Sequence, residues 1–151
     1  MTITYSLVDK KVLPEIVRLN ESIFRGMYQS EPYSLAQYQE RLSSLNPLMY
    51  VAKQGEVIVG NAISYEKNNS LYLWIIGVSS EYRSNGIASK LLDLTETRAR
   101  EEKYQSVTTK VYNVSTAMLR LLLKRGYLIT NLEKSDSQHK FNAVSLELIF
   151  S

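Results

Sequence analysis

A short polar segment between residues 83 and 89 has the residue types of a phosphate-binding turn. It follows an almost wholly apolar stretch and reads Arg83-Ser84-Asn85-Gly86-Ile87-Ala88-Ser89. Gly86 is able to adopt a positive φ and lets a ligand approach the backbone closely. Ala88 and Ser89 are small and would open a helix whose first N–H groups are unpaired and whose dipole is positive at this end. With Arg83 adding a fixed charge, the segment predicts a phosphate site built from backbone.

The same residues have a plainer interpretation, since one Gly before a helix is a common turn and a surface Arg is usually only solvated. The motifs G-x-x-x-x-G-K-[ST] and G-x-G-x-x-G are absent from the chain, which argues against ATP, GTP or a dinucleotide. Gly77 lies inside the apolar segment 71–78, where a glycine marks either a β-bulge or the close approach of a neighbouring element. A bulge there would direct an N–H group at a ligand carbonyl, whereas the other explanation is tight packing under a helix.

Hydrophobic periodicity predicts the elements that must position this segment. Alternating or continuous apolar runs predict strands over 3–8, 48–53, 56–66, 71–78, 106–112, 127–132 and 144–150. Helical spacing, with Pro14 near one start, Ser34 as an N-cap and Gly126 just past an end, predicts helices over 14–28, 34–45, 87–100 and 115–125. The resulting order, β-α-α-β-β-β-α-β-α-β-β, is that of a mixed-sheet α/β domain with helices on its faces.

The strand, the R-x-x-G-x-A loop and the long helix together resemble the acetyl-CoA site of the GNAT superfamily of N-acetyltransferases. A second stretch, VYNVSTAMLRLLLKRGY at 111–127, is similar to the strand and helix that follow in that family, including the closing Gly-Tyr pair. The order and length of the elements match over essentially the whole chain. The resemblance implies one domain over residues 1–151, a mixed, mostly antiparallel central sheet flanked by about four helices, and acetyl-CoA as co-substrate.

The resemblance also assigns residues to acetyl-CoA. The loop backbone and the helix start would hold the pyrophosphate, which implies Arg83, Ser84, Asn85, Gly86, Ile87, Ala88 and Ser89. The preceding strand would lend backbone groups of Ile76 and Val78 to the pantetheine arm, and an N–H near Gly77 or Val78 would polarise the thioester carbonyl. The family's Asn that touches pantetheine corresponds to Ser115 or Asn113, and either side chain would alternatively serve only as the N-cap of the following helix.

Two departures from the family leave the proton transfers open. The position of a general-acid Tyr holds Leu122, and residues 70–80 contain no Asp or Glu to act as a base on the incoming amine. An amine with a pKa of about 10 must lose a proton before it attacks. The candidates are Glu66, Tyr72 or Tyr65 through water, and His139. His139 has a suitable intrinsic pKa, although a histidine in a polar loop is more often solvated, and Glu66 at a strand end is more often a surface charge.

For the amine acceptor, the resemblance implies only the approximate location of the binding site. In the family it is formed by the first two helices, their loop and the late loop, here residues 25–33 and 133–142, and Tyr28 and Tyr33 would line a pocket there. The predicted reaction is direct transfer of an acetyl group from acetyl-CoA to a primary amine of a small metabolite, peptide or protein. The alternative is a non-catalytic acyl-CoA-binding domain that acts as a sensor or partner.

Composition narrows the remaining function classes. The chain has no Cys and one His, which excludes disulfides, a Cys nucleophile and a multi-His metal site. The lack of a signal peptide or long apolar segment predicts a cytoplasmic protein that does not enter a membrane. The net charge is −1 over residues 1–82 and +4 over 83–151, which suits a small anionic ligand, while the lack of a basic run argues against nucleic acid. Monomer and homodimer both remain open.

Overall fold

The computed structural model describes residues 2–25, 27, 31–134 and 141–151, which form seven strands and four α-helices. The strands are β1 (Thr4–Val8), β2 (Leu48–Gln54), β3 (Val57–Lys67), β4 (Ser70–Val78), β5 (Ser106–Tyr112), β6 (Leu128–Glu133) and β7 (Ala143–Ile149). The helices are α1 (Leu13–Phe24), α2 (Leu35–Leu42), α3 (Ile87–Glu101) and α4 (Thr116–Lys124). Single turns of 3₁₀ helix, Lys10–Val12 and Ser80–Tyr82, lie before α1 and in the β4–α3 connection. The order of strands and α-helices is the predicted one.

All seven strands join one sheet in the order β1-β2-β3-β4-β5-β7-β6. Each neighbouring pair is antiparallel except β4 and β5, which run parallel because α3 carries the chain back across the sheet between them. The prediction of a mixed, mostly antiparallel sheet with about four flanking helices is therefore confirmed.

Local signals in the sequence account for where several helices begin and end. Pro14 occupies the first turn of α1, where its missing N–H costs nothing. Ser34 caps α2 through a reciprocal pair of hydrogen bonds with Gln37. Gly126 follows α4 with a left-handed φ of 98°, as a residue just past a helix end commonly does. All three residues therefore do what the sequence predicts.

The first two helices are shorter than their sequence patterns predict. Helix α1 stops at Phe24 rather than near residue 28, because Arg25 already has an extended ψ of 128° and the next residue in the sequence is a glycine, a poor helix former. Helix α2 stops at Leu42 rather than at Leu45. The N–H groups that follow bond three residues back, in the tighter turn that often closes a helix ahead of a proline.

The central strands of the sheet are covered on both faces, by α1 and α2 on one side and by α3 and α4 on the other. We call these the α1 face and the α3 face. Strand β3 is almost continuously buried, and its side chains alternate between the two cores. Ala62 packs on the α3 face, whereas Ile63 and Tyr65 pack on the α1 face. Because β4 lies in the middle of the sheet and is paired with β3, its backbone is held in place.

A buried ionic cluster ties α3 to the end of α4. The Glu96 carboxylate accepts hydrogen bonds from Arg125 at 2.7 and 3.1 Å and from the Tyr127 phenol at 2.8 Å. Burial and the adjacent carboxylate both raise the pKa of Tyr127. Since each group has a partner, the cluster holds the two helices in one relative position.

Candidate active site

Strands β4 and β5 separate part of the way along their length. Their parallel pairing covers only residues 71–73 of β4 and 107–109 of β5. Beyond it, β4 stays paired with β3 as far as Val78, and β5 stays paired with β7 as far as Tyr112. A wedge-shaped opening therefore divides the middle of the sheet, bounded by the edges of two strands that are each held from outside.

A β-bulge in β4 lies at Trp74, where the opening starts. Ile63 is opposite Ile75 and Ser64 is opposite Leu73, which leaves Trp74 as the extra residue. As a result Trp74 and Ile75 both pack towards the α1 face, and the alternation of side chains is reset before Gly77.

Gly77 is a packing point and not a bulge. It is directly opposite Asn61 on β3, and a Cβ at this position would lie 3.2 Å from Ile23 and 3.3 Å from Phe24 of α1. Of the two explanations that the sequence allows for this glycine, the structure supports the close approach of a helix. The bulge does occur in the same strand, three residues earlier.

The backbone groups of Ile76 and Val78 face the opening. Ser79 donates its N–H to the Val59 carbonyl of β3 at 2.8 Å. In an antiparallel ladder, the residues that bond to the neighbouring strand recur at every second position. Gly77 therefore also turns its N–H towards β3, whereas Ile76 and Val78 point the other way. In agreement, the Val78 carbonyl accepts a hydrogen bond from Arg83 at 3.4 Å, outside the β3–β4 ladder.

The loop after β4 ends in an exposed, left-handed glycine at the start of α3. Gly86 has φ 76° and ψ 10°, no side chain caps the helix at this end, and a Cβ on Gly86 would meet nothing within 4 Å. The first N–H of α3 with an acceptor inside the helix is that of Lys90, which bonds to the Gly86 carbonyl. The amides of Ile87, Ala88 and Ser89 precede it, so they are the donors that a helix start offers to an anion.

The Asn85 side chain shapes this loop, a role that the sequence alone did not reveal. Its Nδ2 donates to the carbonyls of Tyr82 at 3.0 Å and Arg83 at 3.1 Å. Tyr82 is itself anchored, because its phenol hydrogen-bonds Gln54 of β2. Two carbonyl oxygens that would repel a phosphate are thus engaged inside the loop, and Ser84 adopts a positive φ of 67° beside them. The residues present fit an anionic group.

Asn113 and Ser115 lie at the end of β5, on the other side of the opening. The Asn113 side chain accepts the Asn142 N–H at 3.0 Å, and its own N–H donates to the Asn142 carbonyl at 2.8 Å. Asn113 thus fixes the β5–α4 connection to the segment before β7. Ser115 is the N-cap residue by position, but its hydroxyl makes no capping bond to α4, so the capping explanation of this side chain is wrong.

The candidate proton carriers lie in different parts of the structure. Tyr72 of β4 packs on the α1 face just before the bulge, with its ring centroid 5.5 Å from that of Tyr65. Burial raises the pKa of Tyr72, Tyr65 adds to this rise, and Arg41 opposes it. Glu66 is not brought to the opening. It is exposed on β3, opposite Leu71 of β4. Leu71 lies seven residues before Val78, on the order of 23 Å along β4.

The other positions considered for proton transfer have different surroundings. Burial raises the pKa of the Tyr104 phenol, and Glu66 lies close enough to it for its charge to add to this rise. Leu122, at the family's Tyr position, is fully buried in the α3-face core. His139 and Tyr28 lie outside the described residues.

Five aromatic side chains gather on the α1 face beside the opening, and we call them the aromatic cluster. They are Tyr33, Tyr38, Tyr65, Tyr72 and Trp74. The predicted lining residue Tyr33 is among them, with 44% of its surface exposed. The others come from α2, β3 and β4, so their convergence depends on the packing of these elements and has no signal at one place in the sequence.

A buried polar network lies behind the cluster and beneath Gly77. Asn61 donates to the Asn20 side-chain oxygen at 2.7 Å, and the Asn20 amide donates to Asn61 at 3.2 Å and to the Tyr38 phenol at 3.1 Å. Burial raises the pKa of Tyr38 to about 12, although the hydrogen bond with Asn20 works in the opposite direction. The network joins α1, α2 and β3 rigidly at the level of the opening.

Comparison with known proteins assigns this architecture to a class. Residues 13–127 match the model of the acetyltransferase (GNAT) family. The chain belongs to this family, and the N-acetyltransferase resemblance seen in the sequence is confirmed. No curated protein sequence matches the chain.

Solved structures share the fold at low sequence identity. The ribosomal-protein-S18-alanine N-acetyltransferase from Escherichia coli superposes with a TM-score of 0.84 at 16% identity, over 99% of this chain and 95% of that one. Ard1 from Thermoplasma volcanium gives 0.82 at 18%, over 100% and 99%. The NatC complex bound to Gag peptide and CoA gives 0.81 at 22%, over 100% of both chains. The likeness shows a common fold.

The described residues contain neither a membrane-spanning helix nor a metal-binding group of side chains. No described helix is both long enough and apolar enough to span a bilayer. Among the same residues, no three His, Cys, Asp or Glu side chains are grouped as a metal site would require.

Proposed function

We propose that this domain transfers an acetyl group from acetyl-CoA to a primary amine, which attacks the thioester directly. The observation that carries the proposal is the opening between β4 and β5, which ends at the exposed left-handed glycine of the α3 start. A long, flexible thioester with a diphosphate at its other end fits this combination of a free strand edge and an anion-binding helix start.

The residues of the loop would hold the co-substrate, which the family uses. The amides of Ile87, Ala88 and Ser89, with the Arg83 guanidinium at the rim, would bind the pyrophosphate. The backbone of Ser84 and Gly86 allows its approach, and Asn85 keeps the loop in shape. The backbone of Ile76 and Val78 would pair with the pantetheine amides from one side, with Asn113 and Ser115 near them on the other side.

One strand amide would polarise the thioester carbonyl. Of the two candidates, Val78 suits this role better than Gly77, because the Gly77 N–H is directed at β3. An N–H fixed in a strand is already oriented towards the oxygen on which negative charge develops. The amine nitrogen bonds to the carbonyl carbon and the C–S bond breaks, so the sulfur leaves as a thiolate. With a thiol pKa of about 8.5, this leaving group needs little help from an acid.

The acceptor would approach from the α1 face, past the aromatic cluster. Tyr72 and Tyr65 are the sequence-predicted proton carriers that the structure keeps on this face, and the Tyr65 phenol already accepts a hydrogen bond from Arg41 at 3.2 Å. Because burial raises its pKa, Tyr72 is a neutral phenol near pH 7 and acts by orienting the amine or a water, not as a strong base. The ammonium proton then leaves through water, so kcat/KM should rise with pH up to the pKa of the acceptor.

A specific observation supports a second candidate, acyl-CoA binding without catalysis. Leu122 is buried in the core where many relatives place an acid Tyr, and β4 carries no carboxylate. Release of free thiol from acetyl-CoA over a panel of amines and peptides separates the two functions. Amine-dependent release supports the transferase. Binding of acetyl-CoA with no release on any amine supports the sensor, and no binding contradicts both.

A further inference from the structure

Arg41 of α2 lies against the rings of the aromatic cluster. Its guanidinium carbon lies 4.6 Å from the centroid of the Trp74 ring and 5.9 Å from that of Tyr33. Its Nη1 donates to the Tyr65 phenol at 3.2 Å. Stacking and this hydrogen bond fix a planar cation beside the opening, with several N–H groups still directed away from Tyr65.

The charge of Arg41 has no carboxylate partner among the residues that the structure describes. A second cation, Lys67, lies 4.7 Å over the Tyr72 ring. Arg25, at the end of α1, is paired with Glu31 at 3.2 Å. Glu21 of α1 is close enough to Tyr38 to raise its pKa, but it does not bond to Arg41. Arg41 and Lys67 therefore place two cations against the rings of the cluster.

A fixed guanidinium on an aromatic face is well suited to anions. Its fork of N–H donors matches a carboxylate or phosphate, and partial removal of water by the rings strengthens the interaction. A cationic group would be repelled by Arg41 and Lys67, although the rings alone would attract it. Arg41 is itself exposed, so its guanidinium is accessible from solvent.

We propose that Arg41 binds an anionic group on the acceptor, so that the substrates are amines carrying a carboxylate or phosphate at a distance from the nitrogen. This inference rests on the proposed function. Trp74 precedes Ile76 by two residues and Val78 by four, on the order of 7 to 13 Å along β4. An acidic side chain one or two residues from a peptide amino terminus spans such a gap, as does an extended ω-amino acid.

The test uses the single tryptophan of the chain, Trp74, as an internal reporter. Its fluorescence is followed while CoA-saturated protein is titrated with Ala-Glu-Ala-Ala or Ala-Gln-Ala-Ala, and with an ω-amino acid or its amide. The proteins are wild type, Arg41→Gln, Arg41→Lys and the control Arg18→Gln, which removes the same charge from an exposed position of α1. Acetylation of the same probes by acetyl-CoA is measured in parallel.

We expect at least one acidic probe to bind about tenfold or more tightly than its neutral partner. Arg41→Gln should abolish this preference, Arg41→Lys should keep part of it, and Arg18→Gln should leave it intact. The peptide and ω-amino acid arms show which source of acidic amine is preferred. Equal binding of both partners of each pair, a preference that survives Arg41→Gln, or no binding of any acidic probe would overturn the inference.

The two proposals fail in different ways. Acetylation of acidic and neutral probes with equal kcat/KM in wild type contradicts the role of Arg41 and leaves the transferase intact. Arg41-dependent binding of acidic probes, with none of them acetylated, contradicts the transferase and leaves the anion site intact.

Discussion

Replacing Gly86 by Glu tests the loop assignment, and the chain provides a matched control in Gly55. Both glycines have a left-handed φ, 76° and 61°, and a Cβ on either would meet no atom within 4 Å. Gly55 lies in the turn between β2 and β3, next to Gln54, which hydrogen-bonds Tyr82 of the β4–α3 loop, and not at the start of α3 itself. Gly86→Glu and Gly55→Glu therefore introduce the same backbone strain and the same charge, and differ only in place.

The strain of a left-handed Glu is about 1–2 kcal/mol in each variant. For a domain of this size that lowers Tm by about 2–8 °C, so both variants remain folded. Only at position 86 would the carboxylate face the proposed position of the pyrophosphate. At about 6 Å and an effective dielectric of about 20–40, the repulsion is about 1–3 kcal/mol. We expect Gly86→Glu to raise the Kd of acetyl-CoA roughly 10- to 100-fold.

Calorimetric titration gives the Kd of each variant, and a thermal shift gives an independent value. At about 100 times Kd, acetyl-CoA should stabilise wild type and Gly55→Glu by about 2.7 kcal/mol. Gly86→Glu should require a much higher concentration for the same effect. If Gly86→Glu and Gly55→Glu bind acetyl-CoA equally well, the pyrophosphate does not lie at the start of α3.

Four further changes test the framework around the site. Gly77→Ala should lower the free energy of unfolding by about 1–2 kcal/mol, because its Cβ would meet α1 side chains at 3.2–3.4 Å; an unchanged urea midpoint contradicts this packing. Asn61→Leu should cost about 2–4 kcal/mol by leaving Asn20 without its donor in the interior; a loss within the error of urea unfolding contradicts the network. The raised pKa of Tyr38 means that its neutral phenol stabilises the fold fully below pH 10, and that this contribution is lost as the pH rises from 10 through about 12. Tyr38→Phe should therefore flatten the alkaline loss of stability, and an identical slope would refute that origin. His139→Ala should leave kcat/KM nearly unchanged, whereas a drop of about a hundredfold or more would make this histidine the general base.

The regular elements could be predicted because their signals are local. Pro14, the Ser34–Gln37 capping pair and Gly126 each act within a few residues of their own position, and the structure places each at a helix end. The sequence predicts the end of α1 less well, since apolar spacing continues past the residue where the backbone becomes extended.

The candidate site could be predicted only in part, for a physical reason. The β4–α3 loop is one continuous segment, so its glycine and small residues are visible in the sequence. The bulge at Trp74 depends on the register of β4 against β3, and the stacking of Arg41 on Trp74 depends on how α2 crosses the sheet. Such contacts join distant parts of the chain, and residue spacing does not encode them.

The most direct test of the account is to locate acetyl-CoA on the domain by amide chemical shifts during a titration of the labelled protein. We predict that the largest changes fall on Ile76, Val78 and the amides at the start of α3, with small changes at Gly55. Large changes confined to another part of the molecule, or none at saturating acetyl-CoA, would contradict the claim that the opening between β4 and β5 is the acetyl-CoA site.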